Sequence, residues 1–106
     1  MQFRGGMNEL MRQAARMQRK IEQAKAEVKD REVTAEALGG KVKATVTYGR
    51  QVKRLEIDAD FLKSEGLEMS LDGLCGALNQ AIEQADKAME AELEKVTGGV
   101  KIPGIV

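Results

Sequence analysis

Residues 7–31 read MNELMRQAARMQRKIEQAKAEVKDR, with no glycine and no proline. Within them Leu10, Ala14, Met17, Ile21, Ala24 and Val28 recur at spacings of four, three, four, three and four. A mean period of 3.5 residues is that of a helix with a narrow apolar seam and not of a strand. One helix cannot bury such a stripe alone, so it needs a second helix, from this chain or from another copy. Ala, Gln, Glu, Lys, Arg and Met dominate the stretch and are strong helix formers. Asn8 is placed to cap the helix, with Glu9 in its first turn. At 1.5 Å per residue the rod is about 37 Å long.

The other flank of the rod has its own chemistry. At about 100° per residue, Arg12, Arg16 and Arg19 fall on the side away from the seam, with Lys20 at the edge of their line. The rod is thus two-faced, apolar on one side and cationic on the other.

The period changes beyond the rod. Residues 32–37 alternate weakly, and Gly39-Gly40 makes a turn. Residues 41–48 alternate cleanly, with Val42, Ala44, Val46 and Tyr48 on one face and Lys41, Lys43, Thr45 and Thr47 on the other. Gly49-Arg50 forms the next turn. Residues 51–58 make a third strand, in which Val52 is out of phase with Leu55 and Ile57, the pattern of a bulge near Lys53-Arg54. Three such strands form an antiparallel meander whose apolar face needs a helix against it. Asp60-Phe61-Leu62-Lys63 forms a short helical turn ending at Gly66. A second long helix spans residues 68–97 and stops at Gly98-Gly99. Its apolar positions are Leu71, Leu74, Cys75, Leu78, Ile82, Ala85, Met89, Leu93 and Val96. The two helices are expected to pair through Leu10, Ala14, Met17 and Ile21 against Met89, Leu93 and Val96 or their dimer mates. Gly73 and Gly76 in its early turns allow either close packing on the sheet or a loose helix start. Pro103 ends any helical continuation into the tail, residues 98–106. The whole is an α+β chain of one domain, 1–106: helix 7–31, three-stranded sheet 32–58, helix 68–97 and tail.

Composition narrows the function. With 3% aromatic residues and no Trp among 106 residues, the chain is expected to be elongated and to complete its core by self-association. Net charge is zero but unevenly spread: residues 1–31 carry a net of +4, residues 32–58 +1 and residues 59–106 −5. Cys75 is the single cysteine and there is no His, so neither an internal disulfide nor a Cys–His pair can form, and a reducing cytoplasm fits. No metal constellation, phosphate loop or carboxylate pair in an apolar setting is present, so no metal, cofactor, small-molecule substrate or enzymatic activity is expected. No apolar run approaches the roughly 20 residues of a membrane span, and no signal-peptide core follows the first residues.

The cations of the first rod point to a polyanion. Arg12, Arg16, Arg19 and Lys20 are the principal candidates, with Arg4 and Lys101 as secondary ones. Arginine forks suit bidentate phosphate contact. No aromatic residue interleaves with them, so stacking on single-stranded bases is not expected. The rod length of about 37 Å approximates one duplex turn of about 34–36 Å. The competing account is a coiled-coil face that is merely solvated.

Several segments carry a resemblance. They are Met7-Asn8-Glu9-Leu10-Met11-Arg12-Gln13-Ala14, Met17-Gln18, Lys20-Ile21, Glu32-Val33-Thr34, Gly39-Gly40-Lys41-Val42, Leu55-Glu56-Ile57-Asp58, Asn79-Gln80-Ala81, Thr97-Gly98-Gly99-Val100 and Ile102-Pro103-Gly104. In this order along nearly the whole chain they resemble the YbaB/EbfC nucleoid-associated proteins of bacteria. Tyr48-Gly49 departs from the family's frequent Asn-Gly, and Gly73 and Gly76 replace better helix formers. The resemblance implies a tweezer-shaped homodimer, binding to double-stranded DNA with little sequence preference, a role in nucleoid organisation and gene regulation, and a place in the cytoplasmic nucleoid. The alternative function is a prefoldin-like clamp or scaffold that holds protein clients, whose expected sign is exposed apolar residues such as Met7 and Met11 at the rod tips.

Overall fold

The computed structural model describes residues 3–98, with side chains from residue 6 onward. Helix α1 (Phe3–Val28) is followed by strands β1 (Glu32–Ala37), β2 (Val42–Thr47) and β3 (Val52–Ile57). A short helix α2 (Ala59–Glu65) and a long helix α3 (Leu67–Thr97) complete the chain. The molecule is a rod of 76 × 20 × 17 Å. The strands form an antiparallel meander in the order β1-β2-β3. Its second ladder slips between Thr45 and Val46, where Thr45 faces Arg54 and Val46 faces Val52, so Lys53 is the extra residue of the bulge.

The first helix departs from its expected bounds at both ends. It begins at Phe3 and runs through Gly5 and Gly6, so Asn8 and Glu9 lie inside it and Asn8 caps nothing. Each glycine costs about 1 kcal/mol, but an established helix gains one backbone hydrogen bond for every residue it adds. It stops at Val28, short of Arg31, because the β2–β3 hairpin takes the next carbonyls. Gly49 N–H donates to Lys29 O at 2.9 Å and Tyr48 N–H to Arg31 O at 2.8 Å.

The stops at Gly66 and Gly98 follow local rules. Both take positive φ, 90° and 65°, which costs a glycine nothing. Asp58 caps α2 by accepting from Phe61 N–H at 2.9 Å.

The core lies between the sheet and the first half of α3. Val42, Ala44 and Val46 of β2 and Ala35 of β1 meet Leu74, Ala77, Ala81 and Ala85 of α3. The small side chains at 77, 81 and 85 let the helix settle close to the strands. Gly73 continues that approach: a Cβ there would overlap Leu38 Cδ1 and stand 2.8 Å from Leu38 Cγ. Gly76 meets nothing within 4 Å, so of the two glycines only Gly73 serves close packing.

The outer face of β2 is polar yet buried. Thr45 and Thr47 are each 1% exposed, although they alternate away from the core. Thr45 Oγ1 is hydrogen-bonded to Thr34 Oγ1 at 2.8 Å, and Thr47 Oγ1 accepts from Gln51 N–H at 3.0 Å. Arg54 of β3 reaches Glu32 of β1 at 3.7 Å. Their ladder partners are Thr45 and Thr47, so this ion pair spans β2 on the threonine face.

Candidate nucleic-acid interface

The cationic flank sits on a helix that is only half supported. α1 and α3 pack antiparallel beyond the sheet. Lys25 lines a cleft with Asp86, Met89 and Leu93, and Lys20 and Ala24 line another with Lys95 and Val96. The seam is accordingly buried at Ile21 and Val28, half-buried at Met17 and Ala24, and exposed at Ala14 and Leu10. Within the single chain, Leu10 and Ala14 are exposed and the expected pairing with Met89, Leu93 and Val96 is displaced. Residues 21–28 take that contact, and the N-terminal part of α1 projects past Thr97. The projecting arm, about 17 residues, is about 25 Å long, shorter than the whole rod.

Arg12, Arg16, Arg19 and Lys20 are all exposed on that arm or at its base. Glu9 lies 3.7 Å from Arg12 Nη2 and 3.8 Å from Arg16 Nη2, on the same line of the helix. Both contacts are long and solvated, so they weaken the local field without removing it. Among the described residues no ion pair engages Arg19 or Lys20. The acidic half of the chain does not close over these cations. The side chain of Arg4 and all of Lys101 lie outside the described residues. Glu9 as a partner of two arginines is a feature the sequence reading missed, although the i,i+3 spacing from Glu9 to Arg12 signals it.

The base of the arm is tied by charge. Glu92 of α3 accepts from Lys95 Nζ at 2.8 Å and faces Arg31 Nη1 at 3.4 Å, just beyond α1. The Lys95 hydrogen bond first, and then the charges of Lys95 and Arg31, hold its carboxyl below the usual range against partial desolvation. Arg50, with φ 70°, sits in the β2–β3 turn and reaches Asp86 of α3 at 3.4 Å.

A second surface is apolar. Leu55 and Val52 belong to the core side of the sheet but are each 49% exposed, because α3 lies chiefly over β1 and β2. Leu71, Cys75, Leu78 and Ile82 run along one flank of α3 at spacings of four, three and four. Asp86 continues that flank and meets Arg50, which leads into β3, so the flank and the uncovered edge of β3 lie side by side. Leu71 and Cys75 are exposed. Among the described residues no helix is long and apolar enough to cross a membrane.

Known proteins share both sequence and fold with this chain. A nucleoid-associated protein of Clostridium acetobutylicum is 34% identical over 101 residues, covering 95% of this chain and 90% of its own. One from Acetivibrio thermocellus is 36% identical over 104 residues, covering 97% and 92%. A crystal structure of an uncharacterized Helicobacter pylori protein superposes with a TM-score of 0.70 at 21% identity, over 86% of this chain and 96% of that one, which shows a common fold. The sequence profile of the YbaB/EbfC DNA-binding family matches residues 3–100, and the chain therefore belongs to that family of DNA-binding, nucleoid-associated proteins, which is not an enzyme family.

Proposed function

We infer that this protein acts as a homodimer that binds double-stranded DNA through the basic flanks of its two α1 arms, in the nucleoid, and there contributes to nucleoid organisation and gene regulation. The observation that carries the reading is the exposed line of Arg12, Arg16, Arg19 and Lys20 on an arm that stands clear of the acidic part of the chain. Membership of a DNA-binding family and the names of its relatives support the same partner and place. Two arms double the charge available, and guanidinium forks meet phosphate oxygens bidentately. The contact is with backbone phosphates, so affinity depends little on sequence and strongly on salt. The second copy docks on the strip formed by Val52 and Leu55 with Leu71, Cys75, Leu78 and Ile82. That strip removes apolar surface from water and closes the unpaired edge of β3.

One observation favours the clamp alternative: Met7 and Met11 are 61% and 65% exposed near the arm tip. Salt separates the two. Phosphate binding involving six to ten contacts falls by about 10³–10⁵ between 50 and 200 mM salt, whereas binding of apolar clients does not. The test is a gel-shift titration of a duplex at low salt with the wild type and with Arg16→Glu combined with Arg19→Glu. Loss of binding with unchanged helicity is expected, and unchanged affinity overturns the assignment.

A further inference from the structure

Beyond the end of α3 the seam of α1 continues with no partner among the described residues. Met7, Leu10 and Ala14 are exposed there, Met7 by 61% and Leu10 by 63%, and Met17 is half-buried. This strip runs on from the part of the seam that α3 covers, Ile21 to Val28, in the same heptad phase. Its borders are neutral. In that phase the positions beside the seam between residues 7 and 18 are Met11, Gln13 and Gln18, and none carries a charge. Arg12, Arg16 and Arg19 stand on the far side of the helix. An apolar stripe between uncharged borders is the pattern of a helix that pairs with another helix.

We propose that the arm pairs antiparallel with the arm of a second copy, Leu10 of each chain lying against Ala14 of the other. A twofold axis at that level also sets Met7 against Met17 of the second copy, so the seam positions form four layers in which a large side chain at 10 meets a small one at 14. Beside the axis Met11 meets its own counterpart and so does Gln13, so the contact brings no like charges together. A parallel pair is the poorer arrangement. It sets Ala14 against Ala14, which leaves a gap in that layer, and it brings both α3 helices, which occupy the seam from Ile21 onward, to the same level. Antiparallel pairing keeps the two sheets at opposite ends and turns both arginine lines outward, open to solvent. The surface is distinct from the strip on α3 and β3, so it joins copies that are already paired there. Four layers make a short coiled coil, weaker than that strip. The inference does not depend on what the arginines bind.

The test uses the full chain in a Cys75→Ser background. Leu10→Cys and Ala14→Cys are made in separate chains, one lengthened by a tag so that the products separate by mass, and are oxidised singly and as an equal mixture. A disulfide joining position 10 of one chain to position 14 of the other should form about tenfold faster than either variant joins to itself, because the antiparallel layer sets those two positions face to face. Self-joined products forming as fast as the mixed one overturn the proposal. So does a mixed rate no higher than that between Leu10→Cys and Arg12→Cys, whose position lies on the cationic flank. Sedimentation equilibrium supplies a measurement without cysteines. At about a millimolar the wild type should gain a species of about twice the mass it shows at micromolar concentration, as suits a weak contact. Leu10→Asp should lose that species with unchanged far-UV circular dichroism, because Leu10 is exposed in the single chain. A wild type of one mass throughout, or a Leu10→Asp variant that gains the same species, overturns the proposal.

Discussion

Leu38, in the turn between β1 and β2, occupies the space that a Cβ on Gly73 of α3 would need. Leu38 is itself in the left-handed region, with φ 55°, and Gly39 and Gly40 follow at 64° and 86°. A leucine holds that backbone at a cost, and its side chain is seated directly on the glycine. The turn and the helix are therefore matched to each other at one point.

Gly73→Ala should destabilise the fold although it raises helix propensity. Overpacking costs about 1–3 kcal/mol and the propensity gain returns about 1. Gly76→Ala, in open space, should stabilise by up to about 1 kcal/mol. Urea denaturation of the two variants checks the opposite signs, and Leu38→Gly added to Gly73→Ala should recover the loss by removing both the overlap and the strained φ.

Glu9→Gln should raise affinity for duplex DNA several-fold at low salt, because it releases Arg12 and Arg16 from their contacts at 3.7 and 3.8 Å. Stability should shift by no more than about 0.5 kcal/mol, since both pairs are exposed. Fluorescence anisotropy against a labelled duplex reads the first effect and thermal melting the second. Weaker binding would assign Glu9 the role of positioning the arginines.

The Glu92 carboxyl has a folded pKa below its ordinary value of 4.5, so its contribution to stability is present above that pH and is lost as pH falls through the folded value. Glu92→Gln should lower the urea midpoint at neutral pH, with the gap to the wild type closing as the pH falls through the lowered folded value. A gap independent of pH would assign the effect to packing instead of charge.

Leu55→Asp, or Leu71→Asp, should yield a folded monomer. Both side chains are exposed in the single chain, at 49% and 45%, so an aspartate there disturbs no intrachain core. Sedimentation velocity should report the monomer mass with unchanged far-UV circular dichroism. A dimer in both variants places the contact elsewhere.

The local pieces were legible because their causes are local. The seam at period 3.5 and the alternation of residues 41–48 announce a helix and a strand wherever they fold. The phase break at Val52 announces the bulge at Lys53, and Gly66 and Gly98 announce helix ends through their freedom at positive φ. The common face of Arg12, Arg16 and Arg19 is likewise a matter of 100° steps. Tertiary contacts decided the remainder. The hairpin amides of Tyr48 and Gly49 take the carbonyls of Arg31 and Lys29, which ends α1 at Val28 and sets how far it slides along α3. That register leaves Leu10 in the open and Ile21 buried, a division that one repeating seam cannot express. The seat of α3 over β1 and β2 exposes Leu55, and Thr45 and Thr47 are buried on a face that alternation marks as solvent. Periodicity states which side of an element is apolar. Which portion of that side is covered depends on neighbours distant in sequence, whose placement no local pattern encodes.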